Sequence, residues 1–421
     1  MIGSLIWGYF DFFIYSVDRT PKGVDFFAIY EAGHSGLEGR SVYEFNLDDI
    51  ANGVTKSPYL SPYRYVPVFA YAVGAPLNAL SPWRAYWAWV ALNELLLVLN
   101  AYVTWRMAEQ KTWGTVGVAM WLLFTPFYLE LYLGQFSFLM TTALLWTGIG
   151  LLRGRELLAA VPWALSLVTK TNSAVLAPVF LRLGWWRALL GGCALLAANG
   201  AYFLWRPGDL RTFLDDNFLA SFRKPPIRFN EYWPAQHGLT DLIENTYLAV
   251  DMTARQTPEA YSLIAVAVIV AVSLAVTFLA RRQDLLALFA IWSSAFFLAY
   301  NDVWEFHYVM LLPALVLLVT HRPAFRPLVL AVFVPLALPA PHWLLTHVLN
   351  DQPLPVGPFL IDRLQTLWPA WGVVLYHAWK PIPTLVLWAT LVASQSRGGF
   401  GLEWFASLGA PLRNRLVPRA E

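Results

Sequence analysis

Apolar runs close to the length of a bilayer-spanning helix recur along this whole chain, and they constrain its fold more than any other feature. A helix crosses the hydrocarbon core with about 17–25 mostly apolar residues. Runs near that length fall at roughly 3–17, 62–80, 84–107, 113–131, 133–152, 157–181, 185–205, 259–280, 284–300, 305–320, 325–345 and 371–393, about twelve in all. The ten-residue alternation of a membrane barrel is absent. Charged residues make up only 13% of the chain, against about 25% in a soluble domain. The expected fold is therefore an all-α polytopic membrane protein, a single integral domain over 1–421. The 21 Trp and 19 Tyr suit the two membrane–water interfaces. A net charge of +2 gives no reason to expect a nucleic-acid partner. Cys193 is the only cysteine, which excludes an intrachain disulfide and a cysteine metal site; it reads as a small core residue. Residues 3–17 lack a basic leader and a cleavage site, so they read as a retained first span.

The polar segments between the runs are unequal. Three are long, 18–61, 206–258 and 346–370, and the others are tight turns. Arg182 and Arg187, Arg281 and Arg282, Arg322 to Arg326, and the tail 394–421 bracket spans on one side, which the positive-inside rule makes cytoplasmic. With one crossing per run, the long loops share the extracytoplasmic face and both termini are cytoplasmic. Arg106 to Lys111 and Arg153 to Arg155 oppose this scheme. A hairpin in 157–181, broken near Lys170, would move them inside, but on that count it would move 18–61 inside as well.

The first chemistry-bearing segment is Gly23-Val24-Asp25-Phe26-Phe27-Ala28-Ile29-Tyr30-Glu31. Asp25 opens a helix expected to run to about Leu37 and to end at Gly36 and Gly39. Phe26, Tyr30, Gly33 and Leu37 share a face, so the helix reads as amphipathic and interfacial. A second short helix is expected over Leu47 to Ala51. Position alone leaves Asp25 open between an N-cap and a carboxylate at work on the membrane surface. Arg64 and Tyr65, in an aromatic and proline-rich stretch, read either as an interfacial anchor with a snorkelling arginine or as a phosphate contact.

Lys170 lies inside an apolar run among Thr169, Thr171, Asn172 and Ser173. A lysine at depth usually faces a cavity and has a partner. Its companion is either a bound phosphate or a carboxylate, for which Glu94 and Glu130 are candidates. His307 follows Asn301-Asp302-Val303-Trp304-Glu305 at the outer end of a span. It is open between an interfacial hydrogen-bonding residue and a contact to sugar hydroxyls or, as the imidazolium, to phosphate. Asp302 and Glu305 join it as cavity candidates. No P-loop, dinucleotide fingerprint, HExxH or GxSxG occurs, so an activated donor would be carried on a lipid.

In order along the chain come Asp25-Phe26-Phe27-Ala28-Ile29-Tyr30, Gly39-Arg40-Ser41-Val42-Tyr43, Tyr65-Val66-Pro67 and Ala75-Pro76-Leu77. Gly134-Gln135-Phe136-Ser137-Phe138-Leu139, Lys170 and His307-Tyr308 before Leu311-Leu312-Pro313-Ala314 follow. This series resembles the GT-C superfamily membrane glycosyltransferases, specifically glycosyltransferase family 87, which includes polyprenyl-phosphate-mannose-dependent mannosyltransferases. The resemblance spans about residues 20–320. It implies an extracytoplasmic active site, a polyprenyl-phosphate sugar donor, a lipid-linked or glycan acceptor, a catalytic aspartate at Asp25 and a role for His307 near the donor. The family usually has Asn after Gly134-Gln135, where this chain has Phe136.

That implication agrees with the chemistry of the residues. Lipid phosphate is a good leaving group, so inverting transfer needs one base, whereas a retaining double displacement would favour a second nearby carboxylate. Lys170, Arg64 and His307 are the candidates to meet the leaving phosphate's charge. Glu31, Tyr65, Gln135, Asp302 and Glu305 are candidates to line the cavity. No cofactor is expected. A divalent metal stays open, since Glu31 and Asp302 could join Asp25. A transporter or flippase for lipid-linked sugars is the alternative; it would carry inverted repeats and several intramembrane charges.

Overall fold

The computed structural model describes residues 23–44, 57–58, 62–218, 236–251, 259–281, 283–340 and 370–401. The expected first span at 3–17, the short helix at Leu47 to Ala51, and most of 346–370 and of the tail lie outside these residues. Among the described residues the protein is helical, with two isolated bridges. The helices are α1 Val24–Leu37, α2 Pro67–Leu77, α3 Pro82–Met107, α4 Lys111–Leu133, α5 Ser137–Leu152, α6 Glu156–Leu167 and α7 Ala177–Leu183. They continue as α8 Trp186–Trp205, α9 Leu239–Val250, α10 Glu259–Leu279, α11 Leu285–Ala299, α12 Leu312–His321, α13 Arg326–Ala337, α14 Ala370–Ala378 and α15 Pro381–Ser396.

By length and composition, α3, α4, α8 and α10 can each cross a membrane. The pair Glu305–His321 and Pro323–Ala337, bent by 117°, is either a broken fifth span or a re-entrant loop. Shorter apolar helices, among them α5, α6 and α11, fill the bundle. The core runs through Trp121, Phe138, Phe289, Leu315 and Leu387, all fully buried. Trp87, Leu95 and Val98 on α3 and Leu263 and Ile264 on α10 are exposed, as lipid-facing residues of a spanning helix are. Cys193 is exposed on α8 rather than buried in the core.

The order of about twelve single crossings needs two corrections. Residues 62–80 do not cross. Tyr65 at their start bonds Gln135, at 3.3 Å, and Leu80 at their end accepts a hydrogen bond from Tyr30 Oη at 2.9 Å. Trp83 then packs on Phe27. The segment enters and leaves beside α1. It packs one face on α1, leaves Val68, Tyr71 and Leu80 exposed, and is broken into short pieces around a π-turn at Ala70–Gly74.

The second correction is at 157–181, which forms a hairpin. It rises along α6 to Lys170, whose Nζ meets Ser137 at the start of α5. It then descends through a 3₁₀ turn, Thr171–Leu176, and α7, until Arg182 donates to the Thr277 carbonyl near the other end of α10. That other end also holds Met107 against His321, Asp284 paired with Arg322, and Arg281 bonded to Gly399. With one crossing removed and one added, Arg106, Lys111, Arg153, Arg155, Arg182, Arg281, Arg322 and Arg326 gather at a single end. Residues 23–44 stay at the opposite end, so the conflict in the loop charges disappears. The described parts of the first two long loops also meet there: Arg206 donates to the Gly39 carbonyl, and His237 N–H to the Val303 carbonyl.

α1 has the expected bounds, but it is not an amphipathic helix lying on a surface. Phe26 through Ser35 are buried without interruption. α2, α3 and the end of α4 enclose it, and Gly23 N–H donates to the Tyr132 carbonyl at 2.9 Å.

Candidate active site

The site forms where four chain segments meet at the loop end of the bundle. α1 brings Asp25. Its N-cap is Gly23, at φ 74°, a left-handed conformation that glycine adopts without strain. No side chain caps the helix. Asp25 is thus the second helical residue, and its carboxylate is not the cap that position alone allowed. It lies in the positive field of the helix N-terminus and keeps some accessible surface. Burial pushes its pKa above the usual carboxylate range, opposed by a hydrogen bond with Gln135 and by the charges of Lys170 and Arg64.

The turn between α4 and α5 brings Gln135. Gly134, at φ 72°, ends α4, and its N–H and that of Gln135 both reach the Glu130 carbonyl. A Cβ on Gly134 would lie 2.4 Å from Phe26 Cβ, so this turn packs directly on α1. Gln135 Oε1 accepts from Tyr65 Oη at 3.3 Å and Lys170 Nζ at 3.4 Å. Glu130 is buried and accepts a hydrogen bond from Phe138 N–H at the start of α5. It stands in the field of Lys170 and Asp25. Glu94 is exposed on α3.

Lys170 stands in extended backbone between α6 and the 3₁₀ turn. Its Nζ donates to Ser137 Oγ at 2.9 Å and lies 3.2 Å from His307 Nε2. Phe136, Tyr65 and Phe306 surround it, with ring centroids at 5.0, 5.8 and 5.9 Å. Aromatic faces attract an ammonium, so this cage favours the charged lysine. His307 Nδ1 accepts from the Trp304 backbone N–H, so a neutral imidazole carries its proton on Nε2, the nitrogen that faces Lys170. His307 sits in the 3₁₀ turn Glu305–Leu311, with Nδ1 against the Trp304 backbone N–H at 3.1 Å.

The structure therefore gathers Asp25, Tyr65, Gln135, Lys170 and His307. Arg64 is exposed at the rim, with its charge acting on Asp25 and Tyr65. Asp302 adds negative field at Lys170 while accepting from Gln236 and Trp304 side chains at 2.7 Å. Two candidates fall away from the cavity. Glu31 is buried against Ser57 Oγ at 2.9 Å, with Arg40 at 4.0 Å. Glu305 is buried in an ion pair with Lys380 at 3.2 Å and accepts from Ala340 N–H at 2.7 Å. Among the described residues no three His, Cys, Asp or Glu side chains come together as a metal set, so Asp25, Glu31 and Asp302 do not form one. Ser137 and the cage residue Phe136 were not singled out from the sequence as site residues. Their signal was the Gly134-Gln135-Phe136-Ser137 turn itself.

The arrangement offers one carboxylate with accessible surface in the field of a single caged ammonium. It can take a proton from a hydroxyl and hold an anion close by. The family model Glycosyltransferase family 87 matches residues 63–300, more than half of the chain. Tyr65, Gln135 and Lys170 fall inside the match, and Asp25 and His307 flank it. No curated protein matches the chain.

Proposed function

The chain belongs to glycosyltransferase family 87, of the GT-C membrane glycosyltransferases, and on that premise we propose that it moves mannose from a polyprenyl-phosphate donor to a lipid-linked or glycan acceptor, with inversion. Asp25 takes the proton of the acceptor hydroxyl. That oxygen attacks the anomeric carbon as the bond to phosphate breaks, and the phosphate leaves with the electron pair. Lys170 meets the charge on the leaving phosphate, with Arg64 at the rim and His307 fixing the lysine. The single observation that supports this reading most is Asp25 itself: an interior carboxylate free of any capping duty, beside one ammonium.

The raised pKa of Asp25 suits a base, whose efficiency is best when its pKa approaches the working pH. The scheme calls for no metal or other cofactor. Retention of transfer after EDTA treatment would support that, and loss restored by a divalent ion would reverse it. The gathering of Lys and Arg at the far end supports a cell-membrane orientation with the site extracytoplasmic.

The deciding experiment uses purified protein in lipid nanodiscs, radiolabelled polyprenyl-phosphate mannose and the producing cell's total lipid extract as acceptor. Asp25→Asn should lower transfer by about 10²–10⁴-fold while the protein inserts and melts as the parent does. Normal transfer by that variant would end the assignment of Asp25 as base.

A further inference from the structure

Asp302 is held by one oxygen. Its Oδ1 accepts from Gln236 Nε2 and from Trp304 Nε1, both at 2.7 Å. Two hydrogen bonds fill that oxygen, and a carboxylate has a second oxygen with the same capacity. Among the described residues no hydrogen bond reaches Oδ2, and Asp302 is half-buried. Asp284, at the opposite end of the bundle, shows the structural use of the same side chain. Its Oδ1 caps α11 at Leu286 N–H, and its two oxygens together hold Arg322. Asp302 has no such duty. The N–H of Trp304, which caps the turn at 305–311, is taken by His307 Nδ1.

The tethers also fix where Asp302 stands. Gln236 comes from the second long loop and is 5% exposed. It bridges Trp304 through the backbone, and the neighbouring His237 N–H donates to the Val303 carbonyl at 2.7 Å. Trp304 stacks on Phe306, with ring centroids 6.3 Å apart, and Phe306 is a wall of the Lys170 cage. Trp304 and Val24, the neighbour of Asp25, pack on the same cluster of Tyr132, Leu133 and Phe306. Through Trp304, then, Asp302 is joined both to the lysine's cage and to the start of α1. A sugar held between Lys170 and Asp25 needs acceptors for the hydroxyls on the rest of its ring.

We propose that Asp302 recognises the donor's sugar: Oδ2 accepts from ring hydroxyls of the hexose carried on polyprenyl phosphate, while Gln236 and Trp304 hold Oδ1. This rests on the reading of the donor given above, and it turns a residue expected only to line the cavity into one with a stated ligand. A hydroxyl donating to a carboxylate makes a charge-assisted bond. A site built to take a hydroxyl also rejects the analogue that lacks it. The second long loop thereby contributes to sugar choice through Gln236.

The test uses the nanodisc assay described above, with polyprenyl-phosphate mannose and forms of it from which each non-anomeric hydroxyl of the sugar is removed in turn. In the parent, removing the hydroxyl held by Asp302 should lower kcat/KM by about 10–10²-fold, the worth of a hydrogen bond to a charged group. In Asp302→Ala the complete donor should fall by a similar factor, and removing that hydroxyl should then cost little more, because the two changes delete one interaction. A purely structural Asp302 would slow every donor alike and leave each penalty as it was. Equal penalties in parent and variant at every hydroxyl overturn the proposal, as does a parent without any penalty. Should Asp302→Ala not fold, Asp302→Asn keeps an oxygen for both tethers, and an undiminished penalty there overturns it equally. Absence of transfer by the parent from the complete donor reads differently: it ends the polyprenyl-phosphate mannose reading and removes the sugar subsite with it.

Discussion

Lys380 and Glu305 form an ion pair 3.2 Å apart in which both side chains are buried. Lys380 Nζ also donates to the carbonyls of Pro335, Leu336 and Leu338 at the end of α13. Glu305 begins the 3₁₀ turn that carries His307. The pair thus ties the last helix, α15, to the wall of the site. Removing one partner of a buried pair strands the other charge and costs about 3–5 kcal/mol. Lys380→Met should lower the unfolding midpoint sharply, and Lys380→Met combined with Glu305→Gln should recover much of the loss. Equal melting of the single variant and the parent would show that the pair carries no such weight.

Lys170→Met should raise the KM for polyprenyl-phosphate mannose and lower kcat by about 10²–10³-fold, the effect of losing one donor to a developing anion. The acceptor's KM should hardly change. Lys170→Arg should recover little, because the cage of Phe136, Tyr65 and Phe306 is fitted to a compact ammonium. Unchanged donor kinetics in Lys170→Met would reduce the lysine to a structural role.

In the parent enzyme, kcat/KM should fall on the acid side through a midpoint above 3.8, the ordinary value for Asp. The sign follows from the chemistry. A base works deprotonated, burial raises its pKa, and activity is therefore lost at a higher pH than for an exposed aspartate. A profile flat down to pH 4 would contradict a buried Asp25 base.

Gly33 and Gly74 cross backbone to backbone. A Cβ on Gly33 would lie 2.2 Å from the Gly74 carbonyl carbon and 2.3 Å from Ala75 N. Gly33→Ala must push α1 off α2 at a cost of about 1–3 kcal/mol, and transfer should fall as Asp25 moves with α1. Gly191→Ala, on α8 with nothing within 4 Å, should instead gain up to about 1 kcal/mol in helix propensity. Equal behaviour of the two variants in thermal melts would refute the close crossing.

The helical class, the bounds of α1 and the partnership at Lys170 could be read from apolar runs, glycine stops and a lysine out of place. The path of 62–80 could not, because hydropathy records composition and not direction: Pro67, Gly74 and Pro76 turn an apolar run into packing around α1. Glu31 and Glu305 show a second limit. Glu31 is six residues from Asp25, about 120° round an α-helix. Glu305 is two from His307, about 120° round a 3₁₀ turn. Proximity in the chain placed both near the motif, and helical geometry turned them away. The two bonds to the Gln135 side-chain oxygen come from partners 70 and 35 residues distant, which no local pattern contains.

The enclosure of α1 has a consequence for how the enzyme comes into being during synthesis. Asp25's helix packs against Ser57, residues 67–89 and residues 132–136. A growing chain therefore has Asp25 and its platform by residue 136, gains the lysine when residue 170 emerges, and receives the imidazole only after residue 307. The ribosome delivers the three proposed site residues in a fixed sequence, and a chain arrested before residue 305 would hold Asp25 and Lys170 without the histidine.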